Sequence, residues 1–139
     1  MSEIKNLWSS DFLKESELVM PITILHEQAK YFNELTNNIL VCEISTKRHA
    51  LDTNRRNDPK PVILHTLSIV APAIGNYNFD LVRLVQEEVL PYPVHVYTPI
   101  TEEQWTVDNS QGLMDMLASI FNDKKTISII QSLLIQSKE

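Results

Sequence analysis

The sequence predicts an α+β domain, in which an antiparallel sheet of about four strands is packed by one N-terminal helix and two C-terminal helices. Three observations predict this class. Apolar residues recur at helical spacing near both ends of the chain, β-branched apolar runs fill the middle, and a Gly-Asn step separates two of those runs. With 139 residues, the chain has the usual length of one domain, and we expect residues 1–139 to form a single domain.

The N-terminal helix is predicted to begin at Pro21 and to end near residue 37, because proline is tolerated at a first helical position. Its apolar residues lie three or four positions apart: Ile22, Leu25, Ala29, Phe32, Leu35 and Ile39. Upstream, four apolar residues are expected to form a short amphipathic turn or helix that covers part of the core or a neighbouring subunit: Leu7, Trp8, Phe12 and Leu13. Trp8 and Trp105 are both expected to cap the core.

The middle of the chain is predicted to be β-structure. The segment ILVCEIST indicates a strand at about 39–46, and KRHALDTNRRNDPKP indicates a polar loop at about 47–61. The following run, VILHTLSIVAPAI, predicts a second strand that ends near Pro72, since proline has no N–H for a ladder bond.

The Gly75-Asn76 step predicts a hairpin with a two-residue type II′ turn. After it, apolar side chains alternate up to Leu81, and the phase then shifts to Val82 and Leu84. Either a β-bulge lies here or residues 80–90 form a short helix. We favour a continued strand.

The last strand is predicted at about 92–98, where Pro93 indicates a strand start or an edge position. An acidic connection follows. Ser110 and Asp123 are then expected to cap two helices that carry wide apolar stripes.

Composition excludes several classes of function. The single cysteine, Cys42, permits no internal disulfide, and no apolar run approaches the length of a membrane span, so we expect a cytoplasmic protein without membrane attachment. The net charge is −6, and only the segment 47–60 is basic, with five basic and two acidic side chains. An acidic body repels a phosphate backbone, so nucleic-acid binding is not expected.

Sequence motifs for cofactors and catalysis are missing. The chain has two glycines, too few for a phosphate-binding loop or a dinucleotide fingerprint. HEQAK resembles the start of a zinc-protease helix, but Lys30 stands where the second histidine is needed. Cys42 alternates with Val41 and Glu43 and is expected in the core with Leu40 and Ile44, where it would be unreactive. We therefore expect no cofactor, no metal and no catalytic residues.

Two weaker groups of residues are candidate sites. His65 and His95 lie in predicted strands, and His95 shares a strand face with Tyr97, so these three side chains would line a ligand or metal pocket if their strands are neighbours. The alternative is that both histidines are half-buried and bonded to backbone or water. The second group is the basic loop, a candidate contact for an acidic partner: Lys47, Arg48, Arg55, Arg56 and Lys60.

From these observations the favoured function is non-catalytic binding of another protein, as an adaptor, chaperone or neutralising protein, and a homodimer is one form that such binding would take. The favoured reading rests on the missing catalytic motifs, a proline-limited edge strand and more apolar helix faces than a small sheet covers. The alternative is a small-ligand or metal-binding enzyme domain that uses His65, His95 and Tyr97. A third reading is nucleic-acid binding through the segment 47–60.

Overall fold

The computed structural model describes residues 3–14, 18–51 and 60–139. It shows the predicted α+β arrangement, with five strands instead of about four. The elements are, in chain order, helix α1 (Pro21–Leu35), strands β1 (Val41–Leu51), β2 (Lys60–Ala71), β3 (Tyr77–Glu87), β4 (Val94–Thr98) and β5 (Glu103–Val107), and helices α2 (Ser110–Phe121) and α3 (Lys124–Ser137). Short 3-10 turns occupy Ser10–Leu13 and Pro72–Ile74.

The sheet is an antiparallel meander in which every strand pairs with its neighbours in sequence, in the order β1-β2-β3-β4-β5. Its two edges are therefore β1 and β5. Of the two alternatives for Pro93, the edge position is wrong, because β4 lies between β3 and β5. The strand start is confirmed, because Pro93 immediately precedes β4. Proline at that position removes no ladder bond, because pairing begins at Val94.

Strand β5 replaces the acidic connection that the sequence predicts. Its first two residues are exposed, whereas Trp105 is half-buried and Val107 is buried. A short edge strand with polar residues at its start lacks the apolar alternation that identifies an inner strand, and such strands resist unwanted pairing with other chains. The periodicity was therefore too weak to reveal it.

The first two strands also extend further than expected. β1 continues to Leu51 and β2 begins at Lys60, so the ends of the predicted 47–61 loop are strand, and Leu51 pairs with Lys60. Residues 52–59 lie outside the described residues. These strand ends were not predicted because their residues show no β-like pattern.

The Gly75-Asn76 step reverses the chain between β2 and β3, but with a different turn from the predicted type II′. Gly75 has φ 62° and ψ 32°, and Asn76 has φ 60°, so both residues are left-handed. A type II′ turn has positive φ at its first central residue only. The preceding 3-10 turn explains the difference, because Gly75 ends it and donates its N–H to the Pro72 carbonyl.

The phase shift after Leu81 is a β-bulge in one continuous strand, as the favoured interpretation had it. Leu67 pairs with Val82 and Ser68 with Asp80, which leaves Leu81 as the extra residue. Leu81 and Val82 are both buried, with exposures of 3% and 0%. The hydroxyl of Thr98 donates to the Leu81 carbonyl at 2.9 Å. This buried hydrogen bond satisfies a carbonyl next to the irregular part of the ladder.

One face of the sheet and the three helices enclose the core. Seven leucine and isoleucine side chains of the core have exposures of 2% or less: Leu25, Leu40, Leu67, Ile69, Leu84, Leu113 and Leu117. Each of these side chains contributes on the order of 1.5–3 kcal/mol through burial. The three helices of the described chain all contribute to the core cluster on one side of the sheet, and none of them packs on the opposite, open face.

The caps of the two C-terminal helices follow the expected chemistry, with one shift. Asp123 caps α3 by accepting the Lys125 N–H at 2.9 Å, as predicted. For α2 the cap is Asn109, which accepts the Gly112 N–H at 2.7 Å, and Ser110 is the first helical residue. Asparagine and serine both favour this position, so their order alone did not identify the cap. Helix α1 ends at Leu35, two residues earlier than predicted.

Candidate protein-binding surface

His65 lies on the helix-covered face of the sheet and is buried, with 4% exposure. Its Nδ1 is 2.9 Å from the Thr46 hydroxyl, and its Nε2 is 3.2 Å from Oε1 of Gln86. The Gln86 carbonyl oxygen requires a donor, so Nε2 carries the proton and Nδ1 accepts from Thr46. Burial lowers the pKa of His65. Both ring nitrogens are thus engaged in bonds that join three structural elements of the core face, and the neutral ring is favoured.

His95 and Tyr97 point to the opposite face. The register places His65 beside Leu84 and Leu84 beside Val96, so the face that holds His65 also holds Val96. The neighbours of Val96 in β4, His95 and Tyr97, therefore face the other way. The structure does not bring the two imidazoles together. His95 is exposed, and its Nδ1 is 2.9 Å from the Thr106 hydroxyl.

The open face carries a self-satisfied polar cluster near its centre. Asp80 accepts from the Ser68 hydroxyl at 2.9 Å and from the Arg83 guanidinium at 2.8 and 3.3 Å. The Arg83 guanidinium carbon is 5.7 Å from the centroid of the Tyr97 ring, a cation–π distance. The hydrogen bond from Arg83 lowers the pKa of Asp80. Each group has a partner, so the cluster presents neither a free base nor a nucleophile.

The predicted basic loop is only partly within the described residues. Lys47 and Arg48 are consecutive in β1 and so point to opposite faces, and Arg48 pairs with Glu88 at 2.6 Å. Lys60 is the first residue of β2. Arg55 and Arg56 lie outside the described residues. Two of the five residues therefore belong to an edge strand, and a role for this group in partner binding stays a prediction.

Cys42 is buried at 8% exposure on the helix-covered face, as expected for a core cysteine. Burial raises the pKa of its thiol to about 12. The thiol form therefore dominates at neutral pH, and the thiolate needed for nucleophilic attack or metal binding is disfavoured. Among residues 3–14, 18–51 and 60–139, no three His, Cys, Asp or Glu side chains are grouped so that they could hold a metal ion.

Two depressions in the surface differ in character. One of about 540 Å³ lies beside the polar cluster, and its cations are Arg83, which Asp80 neutralises, and the exposed Lys125. The other, of about 180 Å³, is an apolar recess between the helices and the sheet, with Cys42 and the half-exposed Tyr31 among its lining residues. The larger depression is thus partly polar, whereas the smaller one is lined mainly by apolar side chains.

The N-terminal segment has the most unusual surface of the described chain. Five large apolar side chains within ten residues are almost fully exposed: Ile4 98%, Leu7 90%, Trp8 79%, Phe12 68% and Leu13 77%. We call these five residues the N-terminal apolar segment. Monomeric proteins rarely expose contiguous apolar patches of this kind without a binding role. Its aromatic and leucine residues were expected to cover the core or a neighbouring subunit, and the structure excludes the first possibility.

Local bonds shape this segment without burying it. The Asn6 side chain accepts the Trp8 N–H at 3.1 Å, the Ser9 hydroxyl accepts the Asp11 N–H at 3.2 Å, and Lys14 pairs with Asp11 at 2.9 Å. The resulting 3-10 turn brings the rings of Trp8 and Phe12 to 5.9 Å at an angle of 74°. This edge-to-face pair is a preferred aromatic arrangement, here without any cover.

Comparison with protein-family models, with curated proteins and with solved structures finds no match to this chain. Within the described residues, no helix is long and apolar enough to cross a membrane.

Proposed function

We propose that this protein acts by non-catalytic binding of another protein, and that the N-terminal apolar segment is its main contact. The observation that carries the proposal is the Trp8–Phe12 pair, whose rings pack against each other while both side chains remain more than two-thirds exposed. Trp is among the residues most enriched at the energetic centres of protein interfaces, and an aromatic side chain buries about 150–250 Å² when covered.

The chemistry of the segment favours a protein partner over a lipid surface. Glu3, Lys5, Asp11 and Lys14 give it two charges of each sign. Helices that lie on membranes usually carry an excess of Lys and Arg on their polar face, whereas the two lysines of this segment are balanced by two acidic residues. An apolar segment with balanced charges is instead suited to a protein groove with an apolar floor and a polar rim. We further propose that the protein acts in the cytoplasm, in keeping with its single buried cysteine.

Local hydrogen bonds make the segment a better ligand. Three contacts within residues 6–14 already hold the aromatic pair in place. Ordering a segment on binding costs free energy for each side chain immobilised, and pre-ordering reduces that cost. The proposed enzyme alternative gains no comparable support, because His65 faces the core while His95 and Tyr97 face the open side of the sheet.

The test compares tagged protein purified from its native cells with the variant Trp8→Ser/Phe12→Ser. The wild type is expected to retain a stoichiometric protein partner, and the double variant to lose it, since each anchor contributes on the order of 2 kcal/mol, or about 30-fold in affinity. The matched control is Leu35→Ser, which removes a side chain of 83% exposure in α1. Retention of the same partner by the double variant would refute the proposal.

The variants must also remain folded and must not have lost a lipid contact. Because the two aromatic side chains are exposed, we expect the double variant to unfold at the same temperature as the wild type. Neither protein should bind vesicles that contain anionic lipid. Vesicle binding that the double variant loses would assign the segment to a membrane and would also contradict the proposal.

A further inference from the structure

Strand β1 forms one edge of the sheet. Among the described strands, β2 alone pairs with β1. The N–H of Cys42 donates to the Asn33 side chain at 2.7 Å and so points away from β2. Outward and inward groups alternate along a strand, so the backbone groups of Ile44, Thr46 and Arg48 also point outward. Within the described chain no residue pairs with these outward groups.

This part of the edge is accessible. Residues 45–48 are exposed, and Ile44 is half-buried against the core. Native proteins usually protect long edge strands with charges, bulges or a covering element. In β1 the Asn33 side chain covers only the backbone at Cys42, and two charged residues lie further along on the open face, Glu43 and Lys47.

The two charges are arranged symmetrically about Ser45. Glu43 and Lys47 lie two residues on either side of it, on the same face of the sheet, and both are exposed. Neither has an ion-pair partner among the described residues. A second β1 strand, antiparallel to the first and related by a two-fold axis through Ser45, would place Glu43 of each copy opposite Lys47 of the other.

We propose that β1 is the interface of a homodimer, in which two copies pair edge to edge and form a continuous ten-stranded sheet. Ile44 of each copy then exchanges both backbone hydrogen bonds with Thr46 of the other, which gives four bonds in all. Glu43 and Lys47 form two ion pairs at positions without backbone bonds, where side chains approach most closely.

The charge pattern selects this register. Moving the two-fold axis by one residue, to Thr46, places Lys47 opposite Ser45 and leaves Glu43 without Lys47 as its partner. Moving it to Lys47 sets two like charges directly against each other, which is destabilising. Only the register centred on Ser45 places Glu43 of each copy opposite Lys47 of the other, so that two ion pairs form. This self-complementarity favours a second copy of the chain over a different strand, and it is independent of the N-terminal apolar segment.

The first test measures dimerisation by sedimentation equilibrium over a range of concentrations. Glu43→Lys and Lys47→Glu each replace two attractive pairs by two repulsive ones, and each should weaken the dimer about 10-fold or more. The variant with both substitutions restores opposite charges across the axis and should dimerise nearly as well as the wild type. A monomeric wild type, or single reversals without effect, would overturn the proposal.

The second test locates the axis. Directly opposite residues at a position without backbone bonds have Cα atoms about 4.5 Å apart, within the range of a disulfide. Ser45→Cys should therefore give a covalent dimer under mild oxidation. Thr66→Cys is the matched control, because Thr66 lies beside Ser45 on β2 and two copies of it would be about 14 Å apart across the interface. No covalent dimer of Ser45→Cys, a dimer of Thr66→Cys at the same rate, or a cross-link from Ser45→Cys to a different protein would each contradict this interface.

Discussion

Asp80 and Arg83, three residues apart in one strand, form an ion pair at 2.8 Å on the open face of the sheet. Residues three apart in a regular strand point to opposite faces. The bulge at Leu81 removes that difference, because it turns both Leu81 and Val82 into the core. The extra residue thus places two consecutive side chains in the core and brings Asp80 and Arg83 together on the open face.

Asp80→Asn removes the charge that Arg83 pairs with, and we expect it to lower the free energy of unfolding at neutral pH by about 0.5–1 kcal/mol. The pair is more than one-third exposed, so solvent screens much of its Coulomb energy. The folded state lowers the pKa of Asp80 from 3.8, so its contribution is complete above that value and is lost as the pH falls through the folded pKa. Urea unfolding of wild type and variant should therefore converge in acid. Glu87→Gln, an exposed site in the same strand, is the control.

His65 should make the free energy of unfolding depend on pH closer to neutrality than Asp80 does. Burial lowers the pKa of its imidazole, so below the unfolded pKa of 6.5 the unfolded chain binds the proton more readily than the folded protein. The free energy of unfolding should then fall as the pH drops below 6.5, until the folded pKa is reached. His65→Gln should flatten this dependence, measured by denaturant unfolding. A wild type without any slope below pH 6.5 would refute the assignment.

Gly75→Ala tests the left-handed turn between β2 and β3. A Cβ at this position would meet no heavy atom within 4 Å, so the cost is confined to the backbone at φ 62°. We expect a loss of about 1–2 kcal/mol in the free energy of unfolding. Asn76→Gly, at φ 60°, relieves the same strain one residue later and should change stability by no more than about 0.5 kcal/mol. If Gly75→Ala is neutral, this turn geometry is wrong.

Cys42 should be inert in the folded protein. Its burial and its pKa of about 12 both oppose formation of an accessible thiolate. A thiol reagent at mildly alkaline pH should modify it only as fast as the protein opens, and rapidly once urea is added. In the variant Cys42→Ala/Ser45→Cys, the exposed thiol in the same strand should react at once, provided the protein is kept dilute. Equal rates for the two thiols would show that Cys42 is not in the core.

The sequence was informative where one periodicity dominates a segment. Pro21 and the apolar spacing after it predict α1, and the phase shift at Val82 predicts the bulge. Strand β5 was missed because only Trp105 and Val107 alternate in it. The facing of His65 depends on strand register, which a single sequence does not reveal without knowing which strands pair. The exposure of Trp8 is likewise a tertiary property, because the same sequence pattern is expected whether the segment packs on the core or stays exposed.

The central claim is that a partner protein covers the N-terminal apolar segment, and photo-cross-linking in living cells tests it most directly. A photoreactive phenylalanine analogue is placed at Trp8 in one strain and at Leu35, which is equally exposed, in another. We predict one dominant cross-linked protein from position 8, distinct from a second copy of this chain, and none from position 35. A cross-link from position 35 to the same protein with equal yield, or no cross-link from position 8 to any other protein, would contradict the account.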